Sequence, residues 1–127
     1  MDPNRPCIFC HLDREILLEN ELARAFYDAY PVSPGHALVL PRRHVRVIFD
    51  TSADEYAACF ELAREVADLL RQKHEPDGFN IGVNCEAAGG QSVWHAHVHV
   101  IPRYQGDTPD PLGGVRNVIP RLSKPSV

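Results

Sequence analysis

From His95 to Ile101 the chain reads His95-Ala96-His97-Val98-His99-Val100-Ile101, a strict alternation of imidazoles with small or apolar residues. A two-residue period belongs to an extended strand, whose successive side chains leave opposite faces. His95, His97 and His99 are therefore expected to share one face, with Ala96, Val98 and Val100 on the other. Neighbouring histidines then stand roughly 7 Å apart at strand rise, a gap that admits a phosphoryl group. Imidazole is also the side chain best suited to act as a neutral nucleophile or proton donor near pH 7. One strand thus commits one face to a core and the other to a candidate site.

The remaining punctuation organises the chain around that strand. Residues 15–19 and 23–28 read as two strands of a hairpin turning at Asn20-Glu21. Pro31-Val32-Ser33-Pro34-Gly35 breaks the chain, and the apolar run Ala37-Leu38-Val39-Leu40, ended by Pro41, reads as a strand buried on both faces. Ser52 with Glu55 three residues later forms a capping box. Tyr56, Cys59, Phe60, Ala63, Val66, Ala67 and Leu70 follow at helical spacing, which predicts a helix from 52 to about 73. Phe79, Ile81 and Val83 return to alternation, and Gly89-Gly90-Gln91-Ser92 reads as a flexible loop delivering the chain to the histidines. From Pro102 onward five prolines and the Gly113-Gly114 pair predict an irregular tail. Pro3, Pro6 and the paired cysteines predict an N-terminal knuckle. With 127 residues, 44% of them hydrophobic, the chain is expected to form one domain over 1–127, with a core over 7–103 and a proline-rich tail over 104–127.

Charge and hydropathy exclude several classes of function. A formal net charge of −4 argues against broad contact with a nucleic-acid backbone, while a small nucleotide stays allowed. No stretch approaches the roughly 20 apolar residues of a membrane span, and the first six residues lack a signal-peptide pattern. A soluble cytoplasmic protein with no membrane or nucleic-acid partner is expected. In that reducing setting Cys7-Ile8-Phe9-Cys10 reads as a metal or redox pair sooner than as a disulfide, while Cys59 and Cys85 read as ordinary thiols.

Blocks on either side of the alternating histidines extend the pattern: Phe26-Tyr27-Asp28, then Pro34-Gly35-His36-Ala37-Leu38-Val39-Leu40-Pro41, then Asn84 ahead of Gly89-Gly90-Gln91-Ser92-Val93-Trp94-His95. In their order and spacing these blocks resemble the histidine triad (HIT) family over roughly residues 7–103. The resemblance implies an α+β HIT-like fold. It comprises an antiparallel sheet of about five strands, one long helix packed on it, a short helix and an irregular C-terminal tail.

It also implies a nucleotide-binding hydrolase acting on the α-phosphate of purine nucleoside phosphoramidates, adenylates or dinucleoside polyphosphates, with AMP or GMP released. His97 would be the nucleophile and His99 the donor to the phosphate oxygens. Gln91 and Ser92 would hold the phosphate and leaving group, Asn84 would contact the phosphate side, and Asp28 would accept from the ribose hydroxyls. Ile8, Phe9, Leu17 and Phe26 are the candidate walls of a base pocket. A homodimer formed partly through the long helix is implied as well. Arg103 and Arg116 are candidates for a polyphosphate leaving group, whereas Arg42, Arg43 and Arg46 read as an exposed basic turn. A nucleotide-binding scaffold with negligible turnover and a nucleotidyltransferase are the competing readings.

By the same resemblance Cys7 and Cys10 are joined by His44 and His95 as ligands of a structural zinc, with magnesium a further candidate cofactor. His11 is the alternative to His44. Zinc-free reduced thiols and a redox pair are the alternatives to a metal. Of the remaining histidines, His36 reads as structural or close to the site, and His74 as a solvated cap at the helix end.

Overall fold

The computed structural model of the chain describes residues 7–10 and 14–120, and most of its elements follow the sequence periods. Strands β1 (Leu18–Glu19) and β2 (Ala23–Tyr27) pair antiparallel, with Leu18 opposite Ala25. Their turn is closed by Asn20, whose Oδ1 accepts from the backbone N–H of Leu22 at 3.0 Å and of Ala23 at 2.8 Å. The β1 ladder is shorter than the alternation from residue 15 predicts. Strand β3 (Ala37–Pro41) is buried along its whole length, as an uninterrupted apolar run requires. Strands β4 (Gly78–Gly82) and β5 (Val98–Arg103) complete a five-stranded antiparallel sheet in the order β1-β2-β3-β5-β4.

Helix α1 (Ala53–His74) covers one face of this sheet. Cys59, Leu62, Ala63, Val66 and Leu70 of α1 pack with Ala96, Val98 and Val100, so the apolar face of the histidine segment is spent on the main core. The opposite sheet face carries a smaller cluster of Phe9, Phe26, Leu38 and Leu40, and it is on this side that the histidines lie. Among the described residues no helix is long and apolar enough to cross a membrane.

The capping box forms as the sequence predicts. Ser52 Oγ accepts from the Glu55 N–H at 3.1 Å, and Glu55 Oε1 accepts from the Ser52 N–H at 2.8 Å. Glu55, only 6% exposed, also takes a two-pronged bond from Arg43 at 2.8 and 3.0 Å. The Arg43 bonds, aided by those from Ser52, hold the Glu55 carboxyl down from 4.5 to about 2. A folded-state value below the unfolded one contributes stability above pH 4.5 that is lost as pH falls towards 2. Thermal melts of wild type and Glu55→Gln should therefore differ by about 1–2 kcal/mol at pH 6, the solvent-facing side of Arg43 being screened, and converge near pH 2. Parallel melting curves from pH 6 to 2 would contradict this origin of the pairing.

Four expectations are corrected. The β5 ladder begins at Val98, so residues 95–97 lie outside the strand; there Ala96 N–H donates to the Val45 carbonyl at 2.7 Å instead. At the other end β5 continues through Pro102 and Arg103, which the proline count assigned to the edge of an irregular tail. Pro102 is tolerated because β3 pairs with β5 only over Val98–Val100, leaving no ladder donor to lose on that side. The glycine loop is held rather than flexible. Gln91 Oε1 accepts from Glu86 N–H at 2.9 Å, and Gln91 Nε2 donates to Arg46 O at 2.7 Å and Val93 O at 3.1 Å. His74 is packed, with its Nε2 3.0 Å from Tyr27 Oη and its ring against Gly35, where an added Cβ would come within 2.9 Å.

The tail is partly ordered onto the sheet. Arg103 makes a two-pronged bond to Asp107, Tyr104 Oη donates to Pro34 O at 2.7 Å, and a 3-10 turn spans Gly114–Val118. Pro3, Pro6, His11 and the tail beyond residue 120 lie outside the described residues.

Candidate functional site

A cleft of about 490 Å³ opens on the histidine side of the sheet, lined by Ile8, Phe9, Asp28, Asn84, Ser92, His97 and His99, with Arg14, Ala29, Tyr30, Leu38 and Val93. Seven of the ten residues expected at a nucleotide site are brought together there. Gln91 is one exception: its amide is consumed inside the glycine loop, so it holds the loop that presents Ser92 instead of facing the cleft. Phe26 is fully buried behind Phe9, and Leu17 packs against the main core, so neither is a cleft wall.

Hydrogen-bond partners fix the tautomer of each histidine, and His97 is left in the opposite one from His99. Nδ1 of His97 lies 2.8 Å from the His95 carbonyl oxygen, which can only accept; Nδ1 therefore carries the proton and Nε2 is left with its lone pair. His36 Nδ1 accepts from the Val32 N–H at 3.1 Å, so the proton of neutral His36 sits on Nε2 and is donated to His99 Nδ1 at 2.9 Å. The relay leaves His99 Nε2 as a protonated donor. Asp28 Oδ2 stands 3.5 Å from His36 Nε2 and supports that orientation. The result is a lone pair on one ring and an N–H on its neighbour, with ring centroids 5.0 Å apart, closer than backbone spacing alone suggests.

Burial keeps these rings neutral. It pushes His97 below the ordinary 6.5 against the opposing pull of the His95 carbonyl and Asp28. His99 is lowered to about 4 by burial first and then by the neighbouring His97 and His36. His36 is lowered by burial despite Asp28.

His95, fully buried, turns the other way. Its Nε2–H donates to the Pro41 carbonyl at 2.8 Å, leaving Nδ1 free to ligate. Nδ1 stands 3.4 Å from both Cys7 Sγ and Cys10 Sγ, and His44 Nδ1 stands 3.4 Å from Cys10 Sγ. All four ligand atoms lie within 4.8 Å of one another. A tetrahedral ion with bonds of about 2.3 Å to sulfur and 2.0–2.1 Å to nitrogen spaces its S and N ligands at roughly 3.5 Å, so this donor set fits a closed four-ligand metal site. Burial and the adjacent Cys7 push the Cys10 thiol up to about 11, a preference that a bound cation reverses.

Asp28, His36 and His99 form a second compact group. The Val32 N–H on His36 Nδ1 gives that ring an N–H at Nε2 instead of a lone pair, so the trio reads as a hydrogen-bond relay.

The basic residues are engaged elsewhere. Arg42 donates to the Asn20 carbonyl, Arg43 to Glu55, and Arg46 pairs with Glu86 and lies over the Trp94 ring, as an exposed structural turn predicts. Arg103 bonds Asp107 and Asn80, and neither it nor Arg116 lines the histidine cleft. Sequence reasoning missed Arg14 and Tyr30. Tyr30 was findable, since its N–H donates to Asp28 Oδ1 at 2.9 Å in the local turn that aspartate favours. Nothing in the sequence marks Arg14, whose guanidinium lies 5.5 Å from the Phe26 ring centroid.

Comparison with known proteins agrees with this geometry. The HIT domain family matches residues 11–106. An uncharacterised HIT-like protein of Mycoplasma pneumoniae is 41% identical over 107 residues, covering 80% of this chain and 74% of the relative. A Mycobacterium tuberculosis protein named AP-4-A phosphorylase is 34% identical over 110 residues, covering 84% of this chain and 56% of the relative. The crystal structure of a Zn-bound histidine triad family protein from Mycobacterium smegmatis superposes with a TM-score of 0.73 at 32% identity, covering 82% of this chain and 84% of that one.

Proposed function

This chain belongs to the HIT family, and from that premise we propose that it hydrolyses purine nucleotides at the α-phosphorus through a covalent nucleotidyl-His97 intermediate. The observation that carries the reading is the pair of opposed tautomers. The Nε2 lone pair of His97 and the Nε2–H of His99 belong to adjacent rings lining one cleft. In the first step His97 Nε2 attacks phosphorus and a P–N bond forms. The bond from phosphorus to the leaving amine, carboxylate or phosphate breaks, its electron pair departs with that group, and a leaving amine takes up a proton that the attacking water gives back in the second step. His99 donates to a non-bridging oxygen as charge gathers there. Water then displaces His97, restoring its lone pair and releasing AMP or GMP. Splitting one displacement into two lowers the barrier of each.

Substrate contacts follow from the lining. Ile8 and Phe9 offer apolar surface to the base, Asp28 accepts from the ribose hydroxyls, and Ser92 and Asn84 hold the phosphate side. The substrate class is purine nucleoside phosphoramidates, adenylates or dinucleoside polyphosphates. Incubation with adenosine 5′-phosphoramidate, an aminoacyl adenylate or diadenosine tetraphosphate followed by intact-mass measurement should show a chain heavier by one adenylyl group. No adduct and no AMP from any of the three classes would refute the proposal.

Within the same proposal the metal is zinc, because two thiolates and two imidazoles in a tetrahedral arrangement suit that ion. It would serve structurally, holding the knuckle to the residues just ahead of β5. The thiols, all unbridged among the described residues, suit a reducing cytoplasm. The implied homodimer is checked by sedimentation velocity, which should give twice the 14.2 kDa of one chain.

A further inference from the structure

The turn that supplies two of the four metal-ligating side chains also supplies the apolar wall of the cleft. Cys10 N–H donates to the Cys7 carbonyl at 3.1 Å, and the two residues between, Ile8 and Phe9, both line the cleft. Phe9 is 7% exposed. Its ring lies edge-on to the His97 ring at 5.1 Å between centroids and 87°, to the His95 ring at 6.2 Å, and to Phe26 at 5.6 Å. One side chain therefore touches a metal-ligating ring, the proposed nucleophile and the cleft at once. Beyond these contacts, the Phe9 carbonyl accepts from Arg24 Nη2 at 3.1 Å. A four-residue turn has little capacity to order itself, so the two bonds that Cys7 and Cys10 would make to one ion add to the packing of Phe9 against Phe26, Leu38 and Leu40 in fixing where its ring stands.

We infer that Phe9 is a positioning residue that links the metal site to the nucleotide cleft. Metal bound by Cys7, Cys10, His44 and His95 sets its ring against His97, and each ligand raises the affinity of the other. The inference rests on the nucleotide reading above. Linkage requires that the two effects be equal: the factor by which metal strengthens nucleotide binding is the factor by which nucleotide strengthens metal binding.

The test uses the full chain under reducing conditions, with AMP and zinc as probes. AMP affinity is measured by calorimetry on zinc-loaded and chelator-stripped protein. Zinc affinity is measured by competition with a chromophoric chelator, with and without saturating AMP. In wild type, AMP binding should weaken about tenfold on stripping, and AMP should tighten zinc by the same factor. Phe9→Leu, which keeps all four ligands, should bind zinc at the wild-type level without AMP, bind AMP more weakly, and lose the coupling. This variant also separates the inference from a general loosening of the stripped protein, since loosening would leave the coupling intact in Phe9→Leu. Equal AMP affinity in both wild-type forms, or undiminished coupling in Phe9→Leu, would overturn the inference while leaving the nucleotide reading in place. Failure of the zinc-loaded protein to bind AMP at all would overturn both.

Discussion

Replacing His97 with alanine should reduce hydrolysis of adenosine 5′-phosphoramidate by at least about 10³-fold and abolish the covalent adduct, while AMP still binds. The size of the loss follows from what is removed. The Nε2 lone pair of His97 exists because Nδ1 keeps the ring proton and donates it in a hydrogen bond to the His95 carbonyl, and the other two triad rings are committed elsewhere. His99 presents an N–H, because His36 occupies its Nδ1, and His95 directs Nδ1 towards two sulfurs. No neighbouring ring can therefore take over the displacement. Because His97 is 7% exposed and packs on Phe9, alanine also removes core surface; His97→Asn provides a control that retains an N–H for the His95 carbonyl and lacks the nucleophile. Both variants should be equally inactive by steady-state assay. His99→Gln should still form adduct, more slowly by about 10²-fold, since it weakens one transition-state donor without touching the attacking atom. Undiminished turnover in His97→Ala would remove this histidine from the mechanism.

The difference between those three rings marks the limit of what the sequence could reveal. Alternation placed Ala96, Val98 and Val100 in the core under α1, and it put the histidines together on the other side. A two-residue period is a property of backbone direction, and it survives even though only His99 of the three lies within the β5 ladder. The capping box and the buried run of β3 were legible for the same reason, being set by residues a few positions apart. Tautomers were not legible. They depend on contacts between distant segments, His95 with the Pro41 carbonyl and His36 with His99, and on local bends that turn the His95 carbonyl to His97 and the Val32 N–H to His36, none of which a regular period encodes. The loop bonds of Gln91 were not legible either. Its place in the sequence suggests a hand on the phosphate, yet its amide closes the loop through Glu86, Arg46 and Val93, partners that no short-range pattern brings together. Arg103 too was read as available charge, although Asp107 sits four residues on and claims it.

The second large effect expected is on folding. Elemental analysis of the purified chain should find stoichiometric zinc, lost in the Cys7→Ser, Cys10→Ser double variant, and that loss should lower stability by about 3 kcal/mol, roughly 10 °C in melting temperature. The four ligands come from widely separated parts of the chain: Cys7 and Cys10 ahead of β1, His44 between β3 and α1, and His95 just before β5. Binding to the folded state alone stabilises it in proportion to the logarithm of free metal over its dissociation constant. The cost of losing the ion is local as well as global. His95 is fully buried, and without a cation its Nδ1 faces two protonated thiols, weak donors that replace strong coordination bonds. Serine hydroxyls at both positions are near in size to the thiols and poor ligands for zinc, so the double variant isolates coordination from packing. Its melt should be insensitive to chelator, whereas the wild type should fall to meet it as chelator is added. A wild-type protein that purifies without metal and melts identically with and without chelator would show that the two cysteines and two histidines serve only as packed, hydrogen-bonded side chains.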